Sequence, residues 1–300
     1  MIRKLNQLFD LVKKHKKKHL IVSCANEKHT IKAVSKAVEK GLIKATLIGN
    51  KDIINEICKN EKIDINTFCI VHEPVLVDAL YKSINLVNEK SGDILMKGLV
   101  SSDSYLHAIL NKKSGLLSPK AILTHIAVFE HPYYHKLLFC SDAAIIPKPD
   151  LKQKIILTNY VIEMAHKLGI KKPKIALISA TEKVIISMED NTNCAIITKM
   201  AERGQLKNAF VDGPLAIDVA LDKKIAKIKK LVSSVAGDAD GIIFPNIEAG
   251  NVFYKTSTIL GNAEFAGVVI GANIPCVFAS RGDSTLTKLY SIALGALMAT

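Results

Sequence analysis

Apolar positions recur along the first hundred residues in two alternating rhythms. Ile2, Leu5, Leu8, Phe9 and Val12 keep helical spacing and predict an opening amphipathic helix. Residues 20–24 form a short apolar run that predicts a buried strand. Residues 30–40 then predict a helix stopped at Gly41, and residues 45–48 a second strand closed by Gly49 and Asn50. The alternation continues with a helix over 52–59, a strand over 68–71, a helix over 75–89 and a strand over 93–96. Repeated β-α-β units of this kind predict an α/β fold with a parallel sheet and helices on both faces.

From Phe129 the texture changes. His131-Pro132-Tyr133-Tyr134 and then Pro147-Lys148-Pro149 interrupt the rhythm, so a second domain is expected to begin here. Its first helix should follow Asp150, a good cap, and its strands should include 175–179, 209–211 and 241–244. A further apolar run, 275–279, precedes an amphipathic helix over 284–298. Three hundred residues suffice for one large domain or two ordinary ones.

Two of these strands end in polar clusters. After Ile242-Ile243-Phe244-Pro245 comes Asn246-Ile247-Glu248-Ala249-Gly250-Asn251-Val252-Phe253-Tyr254-Lys255, which places amide, carboxylate and ammonium groups in one loop and the next helical turn. Ligands of open α/β sheets bind beyond such strand ends. The competing reading makes Gly250 a plain turn and Asn251 a helix cap. After Pro275-Cys276-Val277-Phe278-Ala279 comes Ser280-Arg281-Gly282-Asp283-Ser284, where a guanidinium fork, hydroxyls and helix-start N–H groups would suit a phosphate. Its competing reading is a surface Arg281 paired with Asp283, with Asp283 or Ser284 capping the helix. Lys97 and Gly98 follow a third strand end, where Lys97 would meet phosphate as a point charge or would be an ordinary loop lysine. Thr124 and His125 hold a similar position, where a packing histidine is the plainer reading.

Composition narrows the function classes. An apolar fraction of 49% with 23% charged residues describes a globular chain, and the absence of Trp makes its core aliphatic. The net charge of +13 invites a nucleic-acid reading, yet arginine occurs only at Arg3, Arg203 and Arg281. Surfaces that read bases or clamp phosphates favour arginine forks. The densest basic run, residues 13–19, closes the first helix and reads as a solvated face. Six scattered cysteines without a C-x-x-C pair read as buried small hydrophobes in a reducing compartment. No secretory or membrane-spanning pattern is found, so a cytoplasmic protein without membrane or nucleic-acid partners is expected. Nor is there a G-x-G-x-x-G, a Walker loop, a G-x-S-x-G elbow or an H-E-x-x-H helix.

In several stretches the chain resembles the phosphate acetyltransferase and phosphate butyryltransferase family, and especially its butyryltransferase branch. The matching pieces are 95–100, 123–129, Asp142-Ala143-Ala144, 212–215, 246–255 and 280–284, which together span about two thirds of the chain. The resemblance implies an isocitrate/isopropylmalate dehydrogenase-like fold with two domains, parallel-rich sheets and an interdomain cleft. Residues 1–127 with 274–300 would form a discontinuous first domain, and 128–273 an inserted one. It implies reversible transfer of a short acyl group such as butyryl between coenzyme A and phosphate, with acetyl transfer as the alternative. Coenzyme A, acyl-CoA, phosphate and acyl phosphate would be substrates, no cofactor or metal would be needed, and a homo-oligomer is expected.

By the same resemblance Ser280 and Arg281 lie at the reacting acyl phosphate. Lys97, Gly98, His107, Thr124, Asn246, Glu248, Gly250, Asn251, Lys255 and Ser284 would bind substrate. Two positions depart from the family. His107 stands where an arginine is usual, and the place of the acetyl-branch aspartate is taken, counting without gaps, by Thr287. Asp283 is the substitute candidate for the general base, with charge pairing and capping as its other reading. Two rival classes remain at this stage. An oxidoreductase of the same fold would need a cluster of metal-binding aspartates, and a nucleic-acid binder would need clustered arginines or stacking aromatics.

Overall fold

The computed structural model describes residues 2–119, 121–280 and 282–299. The chain divides into two compact units, a first unit of residues 6–123 and 265–300 and an inserted unit of residues 1–5 and 124–264.

The first unit begins with α1 (Leu8–Val12), β1 (Lys18–Ser23), α2 (Lys28–Glu39), β2 (Ile43–Gly49), α3 (Lys51–Asn60), β3 (Cys69–His72), α4 (Leu76–Asn88), β4 (Ile94–Lys97) and α5 (Ser102–Leu110). Local chemistry sets these boundaries. The Asn50 side chain accepts from Asp52 N at 2.9 Å and starts α3. Gly41, at a φ of 74°, follows the end of α2. The basic run 13–17 is exposed, as a solvated face should be.

In the inserted unit come β5 (Thr124–Glu130), β6 (Leu138–Ser141), α6 (Leu151–Lys167), β7 (Lys174–Ile178), α7 (Glu189–Glu202), β8 (Phe210–Leu215), α8 (Ile217–Leu221), α9 (Lys223–Ile228), β9 (Gly241–Ile243) and α10 (Ile247–Ile259). Asp150 starts α6 through a full capping box, accepting from Gln153 N at 2.8 Å while Gln153 Oε1 accepts from Asp150 N at 2.9 Å. The chain then completes the first unit with β10 (Glu264–Ile270), β11 (Cys276–Val277) and α11 (Thr285–Met298).

Within the first unit the strands run in the order β3-β2-β1-β4-β11-β10, and within the inserted unit β5-β6-β9-β7-β8. Pairing is parallel except for β10 with β11 and β5 with β6. Both exceptions have short connections, which cannot carry the crossover that a parallel pair needs. The β10 to β11 turn needs a glycine: Gly271 has a φ of 103°, and a Cβ there would lie 2.0 Å from the Ile122 carbonyl oxygen.

The core is aliphatic. In α11, Leu289, Ile292, Leu294 and Leu297 are buried, each contributing about 1.5–3 kcal/mol. Five cysteines are buried as expected, but Cys69 is exposed. It opens β3, the edge strand, whose residues are exposed or half-buried throughout. No helix among the described residues is long and apolar enough to cross a membrane.

Candidate active site

Each unit gathers polar side chains at strand ends. In the first unit β1, β4 and β11 are parallel neighbours, so their C-terminal ends share one edge. Lys97 pairs with Ser23 and lies one residue past Met96, the partner of Val277. Gly98 permits a close approach, since a Cβ would lie 2.4 Å from the Cys24 carbonyl oxygen and 2.5 Å from that of Ser23. The Lys97 side chain is buried, and its Nζ donates to the Val100 carbonyl at 2.9 Å. Its charge therefore lies against the loop that leads into α5. Burial pushes the neighbouring Cys24 thiol up to about 11, against the pull of the Lys97 ammonium. A thiol so shifted stays protonated near neutrality and is no nucleophile. His107 is on the exposed face of α5, with Nε2 3.4 Å from Asp103 Oδ1 one turn earlier.

At the β11 end Ser280 is exposed. Arg281 lies outside the described residues. Asp283 folds back on the loop, its Oδ2 accepting from Ser280 N at 2.6 Å and its N–H donating to the Ser280 carbonyl at 3.2 Å. Ser284 is the cap of α11, with its Oγ accepting from Thr287 N at 3.0 Å. Thr287 is buried and keeps its hydroxyl 3.0 Å from that of Ser284. Its neighbour Lys288 is also buried and reaches back to the Ser280 and Asp283 carbonyls.

In the inserted unit the organising group is Asp142, which directly follows β6. Its Oδ2 accepts from the Thr124 hydroxyl at 2.8 Å and from His125 N at 3.3 Å, and its Oδ1 accepts from Ala144 N at 2.7 Å and Ile145 N at 3.0 Å. Thr124 is fully buried, so its hydroxyl serves this turn. Burial pushes the His125 imidazole below its ordinary range, against the pull of the Asp142 carboxylate. The imidazole meets the Tyr254 ring edge-on at a centroid distance of 6.4 Å.

Helix α10 rests on this turn. Asn246, not Asn251, is its cap, accepting from Ala249 N at 2.9 Å. Gly250 lies so close that a Cβ would be 2.2 Å from the Asp142 carbonyl oxygen and 3.0 Å from Ala143 Cα. Asn251 donates through Nδ2 to the Ala143 carbonyl at 3.2 Å, which ties the helix to the same backbone. Glu248 is exposed in the first turn, where a carboxylate suits the helix dipole. Lys255 is exposed, with Nζ 4.8 Å from the Tyr254 ring centroid.

Asp142 and Lys288 escaped the sequence reading as site residues. The signal for Lys288 was present: it is the only charged residue of α11. Asp142 was visible only as part of a matching triplet. Among the described residues no group of three His, Cys, Asp or Glu side chains is disposed to hold a metal ion.

Residues 50–296 match the family described as Phosphate acetyl/butaryl transferase. The chain is 40% identical over 299 residues to the phosphate butyryltransferase of Clostridium acetobutylicum, covering 100% of this chain and 99% of the relative. It is 36% identical over 263 residues to the phosphate acetyltransferase of Rhizobium meliloti, covering 88% and 83%. The crystal structure of a branched-chain phosphotransacylase from Enterococcus faecalis superposes with a TM-score of 0.79 at 28% identity, covering 93% of this chain and 99% of that one. The mixed α/β fold and these matches define an acyltransferase enzyme. The chain belongs to the phosphate acetyl- and butyryltransferase family, whose activity implies coenzyme A and phosphate as substrates.

Proposed function

We propose that this enzyme moves a short acyl chain, butyryl in preference to acetyl, reversibly between coenzyme A and phosphate. The observation that carries this reading is the full-length match to a butyryltransferase, together with the Ser280 to Ser284 loop set between β11 and the capped start of α11. Acetyl transfer is the second reading, favoured by the 36% identical acetyltransferase. A two-domain, isocitrate/isopropylmalate dehydrogenase-like fold accords with a first unit whose chain is interrupted at residue 124 and resumes at 265.

In this reading the thiolate of coenzyme A attacks the carbonyl carbon of the acyl phosphate. A carbon–sulfur bond forms, the bond from carbon to the phosphate oxygen breaks, and its electron pair leaves on phosphate. A free thiol titrates near about 8.5, so a carboxylate base raises the reactive fraction at neutral pH. Asp283 takes that proton, which ends on the departing phosphate. Arg281, the Ser280 hydroxyl and loop N–H groups stabilise charge on the carbonyl and phosphate oxygens. Lys97, Gly98, His107 and Ser284 in the first unit, and Thr124, Asn246, Glu248, Gly250, Asn251 and Lys255 in the inserted unit, bind or shape the substrate sites. The acyl phosphate is already activated, so the reaction runs without a resident cofactor or metal.

The enzyme works in the cytoplasm, in short-chain fatty acid metabolism, as a homo-oligomer. Exposed Val252 and Ile259 on α10, with Leu260 just past its end, support the last point, since exposed apolar surface marks association. The deciding assay follows coenzyme A released from butyryl-CoA and from acetyl-CoA as a function of phosphate. Phosphate-independent release, or none, would sink the reading, and a gel-shift titration run beside it tests the nucleic-acid rival.

A further inference from the structure

A lysine inside a buried helix is unfavourable unless its charge is matched. Lys288 is such a residue, 2% exposed between buried Thr287 and Leu289. Its Nζ lies 3.3 Å from the Ser280 carbonyl, 3.4 Å from the Asp283 carbonyl and 3.5 Å from Glu27 Oε2. The two carbonyls belong to the residues that bracket Arg281 and Gly282 in sequence. The third oxygen is fixed independently, because the Glu27 side chain caps α2, accepting from His29 N at 2.7 Å and Thr30 N at 2.8 Å. Burial pushes the Glu27 carboxyl up, but the Thr30 hydroxyl, the His29 N–H and the Lys288 charge bring it below its ordinary range. The Glu27 carboxyl is therefore ionised near neutrality. A chain of contacts runs from a fixed helix end, through one cation, to the backbone on both sides of Arg281.

We propose that Lys288 is a positioning residue for acyl transfer, holding the Ser280 and Asp283 carbonyls so that the Ser280 hydroxyl and Arg281 meet the acyl phosphate in one geometry. This rests on the reading that Ser280 and Arg281 act on the acyl phosphate. Lys288 works through the backbone and does not touch substrate. Packing alone does not account for it, because an apolar side chain of similar length would fill the same space without desolvating a charge. A demand on loop geometry does account for it, since a misplacement of about 1 Å costs on the order of 100-fold in rate.

The test measures kcat and KM for butyryl-CoA in wild type, Lys288→Met, Glu27→Gln, Arg281→Ala and the double variant Arg281→Ala/Lys288→Met, each normalised to folded protein by thermal unfolding. Lys288→Met should lower kcat about 10- to 100-fold while KM moves far less, and Glu27→Gln should lower kcat in the same sense by a smaller factor. In the double variant the two losses should combine to less than their product, because Lys288 acts partly through Arg281 and only its effect through Ser280 is left once that side chain is gone. Wild-type kcat per folded molecule in Lys288→Met, or losses that multiply in full in the double variant, would overturn the proposal. Should Lys288→Met fail to fold, Glu27→Gln decides, and an unchanged kcat there overturns it. Wild-type activity in Arg281→Ala would overturn the reading beneath the proposal and the proposal with it. That outcome differs from a fully active Lys288→Met beside an impaired Arg281→Ala, which removes the proposal alone.

Discussion

The Thr124 hydroxyl donates to Asp142 Oδ2 at 2.8 Å, joining the first residue of β5 to the turn that carries α10. Both residues are buried, so this bond has no water to replace it. The opposite oxygen of Asp142 holds Ala144 N and Ile145 N, and the backbone of Asp142 and Ala143 receives Gly250 and Asn251. One carboxylate thus fixes the platform under a helix that lies about 100 residues further along the chain.

Thr124→Val should leave that carboxylate short of a buried donor and cost about 1–3 kcal/mol in stability, whereas Thr124→Ser should restore most of it. Urea unfolding of the two variants checks this. Equal stability of the Thr124→Val variant and the wild type would show that the hydroxyl bond contributes nothing net.

How much of this was legible beforehand depended on the range of the interaction. The strands and helices from β1 to β4 follow from periodicity, and Asp150 and Gly41 act at the ends where they were expected, because capping is local. The inserted unit was harder. Its break in texture at Phe129 comes after β5 has already begun at Thr124. Strand β10 had no distinguishing pattern, being an apolar run buried through pairing and packing. A cap at Asn251 is the competing local reading, and the structure gives that place to Asn246, since either amide suits a cap. Only the contact with Ala143, 108 residues away, separates them. Lys288 reaches Glu27 over a still longer separation, and no spacing rule encodes that pair.

Gly250→Ala sets a Cβ 2.2 Å from the Asp142 carbonyl oxygen, which belongs to backbone and cannot swing aside. The start of α10 must move, and overpacking of this kind costs about 1–3 kcal/mol or more. A lowered melting temperature with lost acyl transfer is expected. An unchanged melting temperature would mean that the turn at residues 142–143 yields freely.

Acid should weaken the inserted unit through Asp238, which accepts from Lys174 Nζ at 2.7 Å and His135 Nε2 at 2.9 Å and pairs with Lys136 at 3.1 Å. Burial pushes its carboxyl up, but Lys174 and Lys136 outweigh this and hold it well below the usual carboxylate range. The unfolded carboxyl titrates near about 3.9. The stabilisation is therefore complete above that pH and is lost as pH falls below it toward the folded value. Urea midpoints should decline below about pH 4, and Asp238→Asn should flatten that decline while lowering stability at neutrality. An equally steep acid limb in the variant would assign it to other carboxylates.

Arg281→Ala should lower turnover at least about 100-fold, the loss seen when one preorganised charge donor is removed. The melting temperature should hold within a few degrees. Near-wild-type turnover would remove Arg281 from the reaction.

Asp283 carries the most discriminating prediction, because its Oδ2 already accepts from Ser280 N at 2.6 Å. Asparagine offers the same acceptor, so Asp283→Asn should keep the loop and the affinity for coenzyme A while removing the base. If the carboxylate takes the thiol proton, the deficit is greatest well below the thiol pKa of about 8.5, where little thiolate forms unaided. Raising the pH then supplies thiolate from solvent and recovers part of the lost rate. A carboxylate that only holds Ser280 N–H, or that only orients Arg281, has no such dependence, and its loss gives a deficit that is flat with pH. Rates of the chemical step from pH about 6 to 9.5 in wild type and Asp283→Asn separate the two. The expected result is a ratio of wild type to variant that shrinks steadily across that range, and a constant ratio would leave Asp283 as a brace for the loop.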